Sequence, residues 1–124
     1  MGSATETVER YLRAVVDHDW EAFGSCLAEG VVRIGPFGDA YSPKGPYVEF
    51  VAELMPQLDG YSMRVDRIVD GGRVVVALLS ETVEMGGVVR VTPEALVFDM
   101  GPDGLIEKVD IYIKPPNRGG TSGS

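Results

Sequence analysis

Residues Arg73–Phe98, RVVVALLSETVEMGGVVRVTPEALVF, decide the fold. Two long runs rich in Val, Leu and Thr flank Gly86-Gly87. Branched residues fit a pleated, half-buried surface, and a Gly pair supplies the positive φ angles of a tight hairpin turn. The same pattern extends in both directions. Tyr61–Val69 precedes the hairpin across Gly71-Gly72, and Leu105–Lys114 follows it across Gly101-Pro102-Asp103-Gly104. Four β-rich segments joined by turn signals predict an antiparallel meander.

The first half of the chain has a different period. Ser3 and Glu6 have the spacing of a capping box and open a helix to about Asp17. Val8, Tyr11, Leu12, Val15 and Val16 recur at helical spacing and predict one apolar face. Asp19 is a suitable N-cap for a second helix from Trp20 to Ala28, with Phe23 and Leu27 on its inner side. A short strand is expected at Val31–Ile34, then a loop from Gly35 to Gly45. Pro46 suits the first turn of a third helix, Tyr47–Met55, with Phe50, Val51 and Leu54 facing inward. Helices followed by a meander define an α+β domain. Residues 1–116 are expected to form one domain and 117–124 a flexible tail, with 1–4 disordered or a tag remnant.

The 124 residues suit one core, and 44% apolar with 24% charged side chains is ordinary globular usage. The formal net charge of −8 repels phosphate backbones, so no nucleic-acid partner is expected. No apolar run approaches a membrane span, and no secretory leader is legible, so a cytoplasmic protein without membrane contact is expected. Cys26, the single cysteine, cannot form an internal bridge and reads as a small core residue. No His/Cys/Asp/Glu cluster has metal-ligand spacing, and neither a metal nor an organic cofactor is expected. His18 reads as a turn residue between the first two helices.

Val8-Glu9-Arg10-Tyr11-Leu12, then Asp19-Trp20-Glu21-Ala22-Phe23, the Gly35-Pro36 loop and the late strands together resemble the NTF2-like superfamily. That superfamily includes ketosteroid isomerases, limonene-epoxide-hydrolase-like enzymes and SnoaL-like polyketide cyclases. The resemblance spans roughly residues 5 to 114. It implies a cone-shaped (cystatin-like) α+β domain, with three N-terminal helices packed on a strongly bent antiparallel sheet. It also implies a pocket between sheet and first helix, and homodimers formed through the sheet's outer face.

Tyr11 matches the position of the isomerases' oxyanion-hole tyrosine, a donor to a ligand carbonyl or enolate. Its alternative is a core tyrosine with a polar partner. Period-2 alternation puts Glu94 on the face of Leu96 and Phe98. The resemblance matches Glu94 to the isomerases' oxyanion-hole aspartate, a carboxylic acid kept protonated by its apolar site so that it can donate a hydrogen bond. Its alternative is a solvated edge charge. Leu12, Val15, Phe23, Ile34, Phe37, Phe50, Leu54, Leu96, Phe98 and Ile111 are the expected pocket lining. Phe37 and Tyr41 lie on the loop that stands as a candidate lid, or as plain loop anchors.

Two departures limit the resemblance. The isomerases' catalytic aspartate corresponds here to Gly35, which cannot move a proton. In the hydrolase comparison Thr82 and Glu84 take the positions of the Arg-x-Asp pair, and Ile111 takes that of the second aspartate. Glu84 then stands as a lone general base or as a solvated strand-end charge. If Val32 and Ile34 point inward, alternation turns Arg33 away from the core; its alternative is a pocket or ligand cation. Asp110 and Tyr112 are expected on the outer sheet face.

Two function classes stay open. One is an acid–base isomerase, cyclase or epoxide hydrolase for an apolar oxygenated substrate, using Tyr11, Glu94 and Glu84. The other is a non-catalytic binding protein for a hydrophobic metabolite, or a dimerisation module.

Overall fold

The computed structural model describes residues 3–115. The elements are α1 (Ala4–Asp17), α2 (Trp20–Ser25), β1 (Leu27–Ile34), β2 (Ala40–Tyr41) and α3 (Lys44–Leu54). A short 3-10 turn at Met55–Gln57 follows, then β3 (Ser62–Asp70), β4 (Val74–Met85), β5 (Val88–Met100) and β6 (Ile106–Ile113). The expected tail, 117–124, lies outside the described residues. Ser3 is the N-cap of α1 and Ala4 its first residue. The Ser3 side chain accepts from the Glu6 N–H, and the Glu6 carboxylate accepts from the Ser3 N–H. Both bonds satisfy donors that a helix start would otherwise leave unpaired.

The six strands form one sheet in the order β2-β1-β6-β5-β4-β3. The meander β3–β4–β5–β6 is antiparallel throughout, whereas β1 lies parallel to β6. The sheet is therefore mixed, which an all-antiparallel expectation misses. β1 lies between β2, its antiparallel sequence neighbour, and the last strand, β6. Register breaks in β1, β3 and at the end of β5 let the sheet curl.

Three boundaries differ from expectation. Leu27 and Ala28 leave α2 for β1, because Leu27 pairs with Ile106 and the Cys26 carbonyl accepts from the Ile106 N–H. A ladder bond outweighs the weak helical preference of two residues. The third helix starts at Lys44, and Pro46 remains in its first turn, where a missing N–H costs nothing. The two-residue β2, which pairs Tyr41 with Arg33, is too short to leave a periodic signal.

The core lies between α1, α2, α3 and the concave side of the sheet. Val8, Phe23, Cys26, Val31, Val75, Ala77, Phe98, Ile106 and Val109 are fully buried there. Each large apolar side chain among them contributes roughly 1.5–3 kcal/mol relative to exposure. An aromatic cluster fixes the centre. The Tyr11 ring lies 4.8 Å from Phe23 and meets Phe98 edge-on at 5.1 Å, while Phe23 meets Tyr47 at 5.3 Å.

Candidate functional site

Above this aromatic cluster the cone keeps a cavity of about 130 Å³. Tyr11 and Val15 reach it from α1, and Tyr47, Phe50, Val51 and Leu54 from α3. Arg33 enters from β1, Glu81 from β4, Glu94 and Leu96 from β5, and Ile111 from β6. Met55 and Leu58 close one side. The volume is near the roughly 150 Å³ of an engineered apolar cavity that takes benzene. An occupant is therefore about the size of one ring.

Alternation explains the carboxyls. On β4 the inward positions are Val75, Ala77 and Leu79, and the next is Glu81. On β5 they are Phe98 and Leu96, and the next is Glu94. Glu94 pairs in register with Leu79, so Glu81 is its diagonal neighbour on the same face. Burial, hydrogen bonding to Glu81 and the charge of Glu81 push the Glu94 carboxyl up to about 9, while the Arg33 charge acts the other way. At neutral pH Glu94 thus carries a proton that it can share with its neighbour. The Tyr61 hydroxyl donates to Glu81 from the other side. Burial and the Glu81 charge hold the Tyr61 phenol far above its usual range, so it stays a donor.

Tyr11 and Tyr47 join their hydroxyls in a buried hydrogen bond. Burial raises both phenols, Tyr11 well above its ordinary value and Tyr47 to about 12. The Tyr11 hydroxyl is therefore partnered by Tyr47, while it shares the cavity with Glu94. One hydroxyl of the pair satisfies the other, which leaves a proton free to turn toward a ligand oxygen.

Arg33 contradicts the expected outward placement. The inward parity of β1 is that of Leu27 and Val31, both buried, and Arg33 follows them inward, whereas the expectation took Val32 and Ile34 as the inward pair. Its guanidinium donates to Asp39 at 2.7 Å. It also lies 5.0 Å from the Phe50 ring centroid and 5.7 Å from that of Tyr41, and those two rings stack at 3.9 Å.

Several other expected residues stand elsewhere. Glu84 is exposed at the far end of β4, beyond the cavity, where its N–H donates to the Asp59 carbonyl at 2.8 Å. Thr82 and Glu84 share the parity opposite to Glu81, so they do not face the cone. Phe37 is 85% exposed and does not line the cavity. Ile34 has the parity opposite to Arg33 and is also absent from the wall. Phe23 and Phe98 are fully buried beneath the cavity as its floor. Leu12 faces a separate open groove of about 360 Å³ between α1 and β3, with Glu9, Arg13, Val16, Met63, Val65 and Ile68. That groove is larger than the cavity but gathers no comparable set of polar groups. Val15, Phe50, Leu54, Leu96 and Ile111 do line the cavity.

Tyr47, Glu81 and Tyr61 were not among the expected site residues. Extending the Val75, Ala77, Leu79 alternation by one step reaches Glu81. Tyr47 stands three and four residues before Phe50 and Val51, on the same helical stripe. Tyr61 carries no comparable signal. His18, with φ 55°, caps α1 and stacks on Trp20 away from the cavity. Among the described residues, no group of three His, Cys, Asp or Glu side chains is placed to hold a metal. No described helix is long and apolar enough to cross a membrane.

The SnoaL-like domain family matches residues 8–109. No curated protein sequence matches the chain. Among solved structures, an NTF2-like protein of unknown function from Cytophaga hutchinsonii superposes with a TM-score of 0.77 at 15% identity, covering 93% of each chain. A Mycobacterium tuberculosis protein in complex with estradiol-17β-hemisuccinate gives 0.73 at 18% identity, covering 88% of this chain and 92% of that one. A Mycobacterium tuberculosis epoxide hydrolase of the LEH-like type gives 0.78 at 19% identity, covering 90% and 82%. At these identities the likeness is one of fold.

Proposed function

Because the chain belongs to the SnoaL-like domain family, of NTF2-like fold, we propose that its cavity binds a compact oxygenated molecule and moves a proton on it. The superfamily holds cyclases, isomerases and epoxide-hydrolase-like members, and a proton transfer beside an oxygen is common to all three chemistries. The observation that carries this reading is the Glu81–Glu94 pair on the concave wall. Half-burying two carboxyls beside an apolar core costs solvation, and a catalytic task is one reason to retain them.

The roles follow from environment. Glu94, held protonated, is the acid that donates to the ligand oxygen. Glu81, held by Tyr61, takes the proton from carbon or from water. Tyr11, poised by Tyr47, adds a hydrogen bond to the oxygen as charge develops there. This arrangement moves the base from the first strand, where Gly35 is silent, to β4. Glu84 has no part in it.

The test is hydrogen exchange in D₂O. Small ring ketones incubated with the wild-type chain should gain deuterium beside the carbonyl, and Glu81→Gln should abolish the gain. Ketones that bind without exchanging would instead support a non-catalytic binding protein, the reading favoured by Gly35.

A homodimer through the convex sheet face is the assembly we propose. Leu78, Ala95, Pro93 and the 57% exposed Tyr112 line a shallow groove there, with Asp66, Glu94 and Lys114 also on its wall. Tyr112 donates to Asp110 at its rim at 3.1 Å. Sedimentation at micromolar concentration should give a dimer; a monomer contradicts it.

A further inference from the structure

We propose that Arg33 is the specificity residue of the cavity, anchoring an anionic oxygen, so that the preferred ligand is a compact acid rather than a neutral molecule. The inference rests on the cavity being a binding site. Four observations carry it.

First, the guanidinium is built in. Its side chain is only 12% exposed, and Phe50 and Tyr41 flank it. A cation within about 6 Å of a ring centroid is attracted by the ring quadrupole. Second, its position is guarded by glycine. A Cβ on Gly35 would collide with the Asp39 carboxylate and lie 2.7 Å from Arg33 Nη1. The absence of a side chain at 35 makes room for the ion pair. A cation thus stands beside the place from which a residue-35 carboxylate would project.

Third, the guanidinium has donors to spare. Arginine carries five N–H donors in a planar fork. Among the described residues its hydrogen bond is the one from Nη1 to Asp39. Asp39 is 45% exposed, so water screens part of its charge. Fourth, the positive charge acts inside the cone, since it opposes the upward shifts of Tyr11, Tyr47 and Glu94. A ligand carboxylate or phenolate meets Arg33, and Tyr11, Glu81 and Glu94 face the rest of the ligand.

Benzoate and benzamide, one ring each and nearly equal in shape, are the probes. Affinities are read by ligand-observed NMR at neutral pH on wild type, Arg33→Gln, Arg33→Lys and Asp39→Asn. Each variant is first checked for a cooperative melt. Wild type should favour benzoate by about tenfold, the factor that 1.4 kcal/mol corresponds to. Arg33→Gln should lose that preference and still bind benzamide. Arg33→Lys should keep part of it, because the charge remains without the fork. Asp39→Asn should increase it, because the guanidinium is then released from its carboxylate. Equal binding in wild type, or a preference that survives Arg33→Gln, overturns the role of Arg33 and leaves the cavity as a site. Failure of both probes to bind any folded variant overturns the cavity as a site, and the anchor with it.

Discussion

Glu81 and Glu94 face each other diagonally across the β4–β5 ladder, each one step beyond a run of buried apolar residues. Both strands carry their apolar inner face up to the cavity and then switch to a carboxyl. The Tyr11–Tyr47 pair and Arg33 complete the wall around the same space. This juxtaposition makes several outcomes measurable.

The first is the pH dependence of stability. Glu94 is raised from an ordinary 4.5 to about 9, so the folded chain holds a proton that the unfolded chain releases. Stability from this source is fully present below about 4.5 and is lost as pH climbs to about 9. Glu94→Gln cannot ionise. Its melting temperature should therefore fall less than that of wild type across this window, in matched thermal scans. A wild-type and variant difference that does not vary with pH would contradict the assignment.

The second concerns the buried hydroxyl pair. Tyr11→Phe leaves the Tyr47 hydroxyl buried without its partner, at a cost of about 1–3 kcal/mol. Tyr47→Phe should cost a similar amount for the same reason. The double variant removes both polar groups and should cost clearly less than the sum. Urea unfolding of the four proteins measures the coupling. Strict additivity would mean that the two hydroxyls do not satisfy each other.

The third concerns Gly35. The atoms nearest its Cβ would be the tips of Asp39 and Arg33, both ends of flexible side chains. Gly35→Ala should thus be folded, within about 1 kcal/mol of wild type, since a partly exposed ion pair contributes little. The local effect should be plain. Asp39, held below the usual carboxylate range by its hydrogen bond to Arg33, should titrate higher once that pair is pushed apart. An NMR titration of Asp39 in both proteins decides it.

The parts of this molecule legible in sequence are those fixed by local chemistry. The Ser3–Glu6 box, the Val8, Tyr11, Leu12 and Val15 stripe of α1 and the three Gly-marked turns each act over a few residues and stand where the pattern puts them, while Val16 is 45% exposed. Glu94 was legible because Leu96 and Phe98 fix the parity of its strand. Glu81 was legible in principle, yet the Glu-Thr-Val-Glu run offers two carboxyls. Without the strand pairing, nothing marks Glu81 rather than Glu84 as the inward one. The placement of Arg33 was not legible, because Val31, Val32 and Ile34 are all branched and apolar and nothing local says which parity of β1 faces inward. Tyr47 shares the helical stripe of Phe50 and Val51, whereas Tyr61 comes to the site through tertiary packing alone. The parallel pairing of β1 with β6 joins residues from opposite ends of the chain, and no local signal encodes it.

The central claim is that one proton is shared at the carboxyl pair, and it is tested most directly by a ¹³C NMR titration of the Glu94 side-chain carboxyl. In wild type its midpoint should lie near 9, with the carboxyl protonated through neutral pH. Glu81→Gln removes the neighbouring charge and should lower that midpoint, with burial keeping it above the ordinary 4.5. A Glu94 midpoint near 4.5 in wild type would contradict the shared proton, and with it the acid–base reading of the cavity.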